Sequence, residues 1–253
     1  MYQNTKDIQK RYDGFLNTSF LWTNKGVFNL HQFEIESNSE KINIEIEDHL
    51  PLGKYIERLV SFELNSQKSI SVLYENIQVQ DQKVTLGELD CILLKDDKPI
   101  HLEIVYKFYL YDDTVGHSEI EHCIGPNKKD TLVEKLNKLS KKQLPLLYTV
   151  EAKKYLKNLK VAEIEQQVYF KAQLFIPFQK KICLHTLNND CIVGFYLARK
   201  DMQQFADCKF FIPKKIDWII RPHTNVNWLN FETFNTNLVL QCRIINLNYF
   251  LFR

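Results

Sequence analysis

LGELDCILLKDDKPIHLEIVYKFYL, residues 86–110, is the stretch on which the fold turns. It reads as a β-hairpin with acids on its strands. The first arm, Glu88 to Leu94, is largely apolar and bounded by Gly87, and Lys95-Asp96-Asp97-Lys98-Pro99 supplies a charged turn. The second arm, Ile100 to Leu110, is rich in β-branched and aromatic residues. Alternation along it puts Glu103, Val105 and Lys107 on one face and Leu102, Ile104 and Tyr106 on the other. Burying an unpaired carboxylate costs several kcal/mol or forces it to take up a proton. Asp90 and Glu103 are therefore expected either to reach solvent or to share a cation.

Working outward, Leu52–Leu64 has the apolar spacing of a helix, through Tyr55, Ile56, Leu59, Val60 and Phe62, with Gly53 allowing close approach near its start. Glu57 borders that apolar face, a poor place for an acid unless a polar pocket adjoins it. Val72–Val79 reads as a strand and Asp81-Gln82-Lys83 as a turn into the hairpin. Further upstream, Asp7–Phe20 looks helical, weakened by Gly14. Ile42, Ile44 and Ile46 alternate with polar residues inside an acidic stretch, as in a short strand or extended arm with a solvated face.

Beyond the hairpin, residues 112–129 form a polar loop. Asp130 is a candidate N-cap for a helix running to about Leu144, with Leu132, Leu136, Leu139 and Gln143 on one stripe and Pro145 ending it. A glutamine on a leucine stripe must find a hydrogen-bond partner there. From Lys128 to Lys160 ten lysines face only Asp130, Glu134 and Glu151, the one basic stretch in the chain. Val168–Phe178 and Cys191–Ala198 look like strands, Lys200–Ala206 like a short helix, and Leu238–Phe252 like a closing strand or helix.

Net charge is only +2 over 253 residues, so affinity for nucleic acid must come from local clustering. Six cysteines lack CxxC spacing and read as buried thiols in a reducing compartment. With no apolar leader and no run of about 18 apolar residues, a soluble cytoplasmic protein without a membrane span is expected. One elaborated domain over residues 1–253 is expected, with a core at about 50–150 and an α+β accessory region at about 162–253.

Gly87-Glu88-Leu89-Asp90, a hairpin, and His101-Leu102-Glu103-Ile104-Val105 resemble the core of the PD-(D/E)xK nuclease superfamily. Its resolvase-like members pair a Gly-Glu-x-Asp strand start with a Glu-x-Lys strand, after a helix bearing Gly-x-x-x-Glu, here Gly53 to Glu57. LGKYIERL (52–59), TLGELD (85–90), HLEIVYKFYL (101–110), IGPNKKD (124–130) and the helix after them together resemble the bacterial domain-of-unknown-function family 1853, over roughly Leu50 to Leu147. The chain departs from the superfamily at one place. Val105 stands where the lysine is usual, and Lys107 follows two residues on.

The resemblance implies an α/β fold of restriction-endonuclease type, with a mixed central sheet flanked by the Glu57 and Gln143 helices. It also implies Mg²⁺- or Mn²⁺-dependent phosphodiester hydrolysis. Asp90 and Glu103 would be metal ligands, with Glu57 joining directly or through water, and Lys107 would act on the attacking water or the developing charge. Glu88 and Gln143 would support them. Lys128, Lys129, Lys135, Lys138 and Lys142 would hold the backbone of a nucleic acid, DNA ahead of RNA. Two other readings stand beside this one. A catalytically degenerate nuclease fold could bind nucleic acid or a protein, or the acids could be incidental to a structural or regulatory protein, Lys107 neutralising Glu103 on an exposed sheet.

Overall fold

In the computed structural model, which describes residues 5–23, 26–36, 40–47, 49–237 and 249–252, the hairpin is the spine of a mixed sheet. β1 (Ile70–Asp81), β2 (Val84–Lys95) and β3 (Lys98–Tyr111) run antiparallel in sequence. Asp96 and Asp97 join the last two with φ of 49° and 63°, the double left-handed turn whose twist matches that of the flanking strands. The short β4 (Cys123–Ile124) pairs with the end of β3. β5 (Glu165–Pro177) lies parallel to β3 from Ile100↔Glu165 to Leu110↔Phe175, and β6 (Ile192–Ala198) parallel to β5. β7 (Tyr249–Phe252) closes the order β1-β2-β3-β5-β6-β7.

One irregularity in this ladder positions everything discussed below. β1 and β2 stay paired to their turn at Asp81↔Val84, but β2 and β3 pair only from Lys95↔Lys98 to Cys91↔Leu102. Beyond that point β3 pairs with β5, and the N-terminal half of β2 pairs with β1. The sheet splits at Asp90.

Helices cover both faces. α1 (Thr5–Leu16) and α2 (Leu52–Asn65) pack Ile8, Tyr12, Phe15, Tyr55, Leu59 and Val60 on Leu102, Tyr106 and Tyr169. α3 (Leu132–Lys138) packs Leu132 and Leu136 with Val105, Tyr109, Phe170 and Leu174 on the other face. A third cluster sets Leu89 and Ile92 of β2 against Leu146, Leu147, Leu156 and Ala152 of α4 (Val150–Lys153). Lys171 of β5 is buried under α1, where its ammonium donates to the carbonyls of Phe15 (3.1 Å) and Leu16 (3.2 Å). A cation at a helix C-terminus meets orphan carbonyls and the negative end of the dipole, so this lysine completes α1. Burial nevertheless pulls its pKa down to about 8.

Several sequence expectations change. Ile42 and Ile46 are core residues on an extended segment outside the sheet, with Lys41, Asn43, Glu45 and Glu47 exposed between and beside them. Gly53 serves no close approach, since a Cβ there would meet nothing within 4 Å. The N-cap of α3 is Thr131, which forms a capping box with Glu134, while Asp130 is engaged elsewhere. Pro145 does not end the helical path. A π turn over Leu139–Gln143 passes into a 3₁₀ turn over Leu144–Tyr148 that contains the proline. β5, which begins the region read as accessory, lies at the centre of the sheet beside β3. Cys91, Cys123 and Cys191 are buried free thiols, but Cys183 and Cys208 are exposed. Cys242 and most of the closing stretch, residues 238–248, lie outside the described residues. No helix among the described residues is long and apolar enough to cross a membrane.

Gly14 sits where α1 touches the 3₁₀ turn Lys215–Ile219, and a Cβ there would fall 2.2 Å from the Ile219 carbonyl oxygen. Helix propensity alone favours alanine over glycine by about 1 kcal/mol, whereas overpacking against backbone costs about 1–3 kcal/mol. Gly14→Ala is therefore expected to lower the melting temperature by a few degrees despite its better propensity. A rise would show that α1 does not pack this closely.

Candidate active site

Where β2 and β3 part, the Ile104 N–H loses its strand partner and donates instead to Asp90 Oδ2 at 2.9 Å. The aspartate side chain thus stands in for a ladder carbonyl and is held at the apex of the split. Glu103 lies beside it on β3, fully buried, with the Asp90 backbone N–H acting on its carboxylate.

Both Glu103 oxygens are occupied. Oε1 lies 3.1 Å from His101 Nε2, and Oε2 accepts from Gln143 Nε2 at 2.5 Å. The protons on this chain can be assigned from its ends. Gln166 Nε2 meets the Leu144 carbonyl at 2.6 Å, so that atom is the amide nitrogen, and it also meets His101 Nδ1 at 3.1 Å. His101 Nδ1 therefore accepts, and its Nε2–H donates to Glu103. Burial lowers the His101 pKa to about 4, which keeps the ring neutral. At the other end Gln143 Oε1 accepts from Lys135 Nζ at 2.9 Å, which fixes that amide as well, because an ammonium only donates. The π turn is where the helical path carries Gln143, and π turns recur at functional sites.

The charges are unevenly compensated. Burial, then the charge of Glu103, push Asp90 up to about 7, although the Ile104 N–H pulls the other way. Burial pushes Glu103 up to about 8 against the attraction of Lys135. Burial also brings Lys135 down to about 8, opposed by Glu103 and Asp90. Two acids and a lysine thus titrate near neutrality in one place. A hydrogen-bond network built to receive a carboxylate is set against a desolvation that disfavours it.

A second group adjoins them at the start of α2. Lys54 Nζ donates to Glu57 Oε2 (2.8 Å), Glu88 Oε1 (2.6 Å) and Asn76 Oδ1 (3.0 Å), tying α2, β2 and β1 together. Desolvation raises the Glu57 pKa, Lys54 lowers it, and the charges of Asp90 and Glu88 raise it further.

Glu57, Glu88, Asp90, Glu103 and Gln143 are thus gathered at the split. The Lys107 ammonium pairs with Asp130 at 2.7 Å, and its charge still reaches Lys135, whose pKa it helps to lower. The ammonium that acts on both Asp90 and Glu103 is that of Lys135, expected from sequence only as a backbone contact. Lys138 lies close enough to act on Glu103, whereas Lys128, Lys129 and Lys142 are exposed. His101, Gln166 and Lys54 were not singled out in the sequence. His101 was nonetheless visible as the residue two before Glu103 on the same strand face, and Lys54 as the residue three before Glu57 on a helix.

Among the described residues no three His, Cys, Asp or Glu side chains converge as a metal cluster. Magnesium, however, is commonly bound by one or two carboxylates together with water and phosphate oxygens. Asp90 and Glu103 suit that mode. Both are hard oxygen donors, Glu103 buried and Asp90 half-buried, and desolvation raises the pKa of each.

The fold and site define an α/β protein with a split mixed sheet and a pair of desolvated acids, Asp90 and Glu103, at the split. The chain belongs to the family described as Domain of unknown function (DUF1853), which matches residues 22–239. Comparison with curated proteins and with solved structures gives no match.

Protonation makes the site measurable through stability. A carboxyl raised in the fold binds more protons folded than unfolded, so its contribution falls as pH rises from about 4 to its folded pKa. His101, lowered to about 4, and Lys135 and Lys171, lowered to about 8, work in the opposite sense, below about pH 6.5 and above about pH 8 respectively. Between pH 6.5 and 8 the acids dominate. Metal-free protein is expected to lose on the order of 1–2 kcal/mol across that window, and Glu103→Gln much less. A denaturant midpoint that stays level from pH 6.5 to 8 in wild type would contradict the buried-acid account.

Proposed function

We propose that this chain is a metal-dependent nuclease with a restriction-endonuclease-like core, hydrolysing nucleic-acid phosphodiester bonds at the split between β2 and β3. The observation that carries this reading is the pair of adjoining acids, half-buried Asp90 and fully buried Glu103, facing the half-buried Lys135 and a glutamine. Asp90 and Glu103 would hold Mg²⁺ or Mn²⁺, with Glu57 contributing through water. When bound, the ion polarises a phosphoryl oxygen and acidifies water. Lys135, whose ammonium titrates close to neutrality, is placed to donate to a phosphate oxygen or to the attacking water as negative charge develops. Gln143 joins Lys135 to Glu103 and so positions both. His101 keeps Glu103 aligned from the opposite side, itself held by Gln166. Lys107, paired with Asp130, would act on this arrangement only through its charge on Lys135.

A second reading is a degenerate nuclease fold that binds nucleic acid or a protein without cleaving it. It is favoured by two features, the occupation of both Glu103 oxygens by His101 and Gln143 and the valine at position 105.

The test is cleavage of mixed DNA and RNA substrates with Mg²⁺ or Mn²⁺. Asp90→Asn and Lys135→Met are expected to lose about 100-fold or more, and Lys107→Met no more than a few-fold. Unchanged melting temperatures would show that the variants are folded. Activity that survives Lys135→Met but not Lys107→Met would return the catalytic role to the strand lysine. Absence of cleavage by wild type with either metal would favour the second reading.

A further inference from the structure

Past Gln143 the chain buries Leu144, Leu146, Leu147, Ala152 and Leu156 and turns outward a surface that the catalytic reading does not use. Over residues 141–160 there are six lysines, Lys141, Lys142, Lys153, Lys154, Lys157 and Lys160, all exposed, against Glu151 alone. Lys160 pairs with Glu163 at 3.1 Å, but the other five have no ion pair among the described residues. Large exposed apolar residues alternate with these cations along the chain. Tyr148 is 48% exposed, Val150 68% and Tyr155 42%. Neither tyrosine ring has a ring contact or hydrogen bond among the described residues. A shallow concavity of about 380 Å³ lies alongside, lined by Lys153, Lys157 and Lys160 together with Leu156, Leu159 and Val161.

Lysines alone would describe a solvated surface, and scattered tyrosines would need no account. Their interleaving is what points to a ligand. Unpaired cations favour a polyanion, and exposed aromatic faces between them favour one that carries flat rings. A duplex buries its base faces in its own stack, so only unpaired bases can lie on these rings. Position argues the same way. Tyr148 follows Gln143 by five residues of 3₁₀ path, about 10 Å at about 2 Å per residue, which keeps it near the residue that contacts Glu103.

We infer that residues 141–160 dock a single-stranded nucleic acid, the lysines following its phosphates and Tyr148 and Tyr155 stacking two of its bases. The inference rests on the nuclease reading for its substrate class, but its test does not require catalysis. Binding of a labelled single-stranded oligonucleotide is measured by anisotropy in EDTA, with the matching duplex and polyglutamate as competitors. Tyr148→Ala with Tyr155→Ala is expected to weaken binding about 30-fold or more without changing the salt slope. Tyr148→Phe with Tyr155→Phe keeps the ring faces and should bind as wild type. Lys153→Ala, Lys154→Ala and Lys157→Ala together should flatten the salt dependence. Undiminished binding by the double alanine variant, or duplex or polyglutamate competing as well as the single strand, would overturn the inference, as would failure of wild type to bind. Single-strand binding that behaves as expected while no metal supports cleavage would sustain this inference and strike the catalytic reading alone.

Discussion

The hydrogen bond from the Ile104 N–H to the Asp90 carboxylate is the constraint on which the rest of the site depends. A strand that leaves its neighbour strands backbone donors, and a buried orphan donor costs about 1–3 kcal/mol. Here the side chain of the residue at the fork satisfies that donor. The same bond that ends the β2–β3 ladder therefore fixes a carboxylate in a low-dielectric position next to a second one. Fold and chemistry share one interaction, and removing the carboxylate would disturb both.

Around that point the two layers of helices divide the work. α1 and α2 form the structural layer, locked by the buried Lys171 on the last carbonyls of α1 and by Glu63 of α2, which accepts from the Tyr169 hydroxyl at 2.7 Å. α3 and the π turn after it bring polar side chains inward, Lys135 and Gln143, onto the fork. Only the start of α2, with Lys54 bridging Glu57 and Glu88, extends the polar region to the first layer. Each buried charge or amide at the fork thus has a named partner, but the positive charge nearby is insufficient to keep both acids ionised at neutral pH. That residual deficit is what a divalent cation would relieve.

Much of this was legible in the sequence wherever the information was local. The hairpin, its Asp-Asp turn and the α2 helix follow from period-2 and period-3.6 patterns and turn chemistry. Glu57, Asp90, Glu103 and Gln143 were gathered in advance through the resemblance to the nuclease superfamily, and Glu88 because it shares a strand face with Asp90. What escaped was long-range. A strand pattern over 168–178 says nothing about which strand it joins, so the parallel pairing of β5 with β3 was invisible. Lys107 shares a face with Glu103, but a face carries no information about neighbours from other elements, and Asp130 reaches it first. Lys135 was one lysine among ten until packing brought it, half-buried, beside the acids. The isoleucines at 42 and 46 show the converse, a strand-like alternation that buries apolar groups without joining a sheet.

The most direct measurement is calorimetric titration of Mn²⁺ into metal-free protein near pH 7, repeated in two buffers of different protonation enthalpy. If Asp90 and Glu103 hold a proton that the cation displaces, binding releases about one proton and is lost in Asp90→Asn. Binding without proton release, binding that survives Asp90→Asn, or no binding at all would contradict the account of the fork as a metal-dependent site.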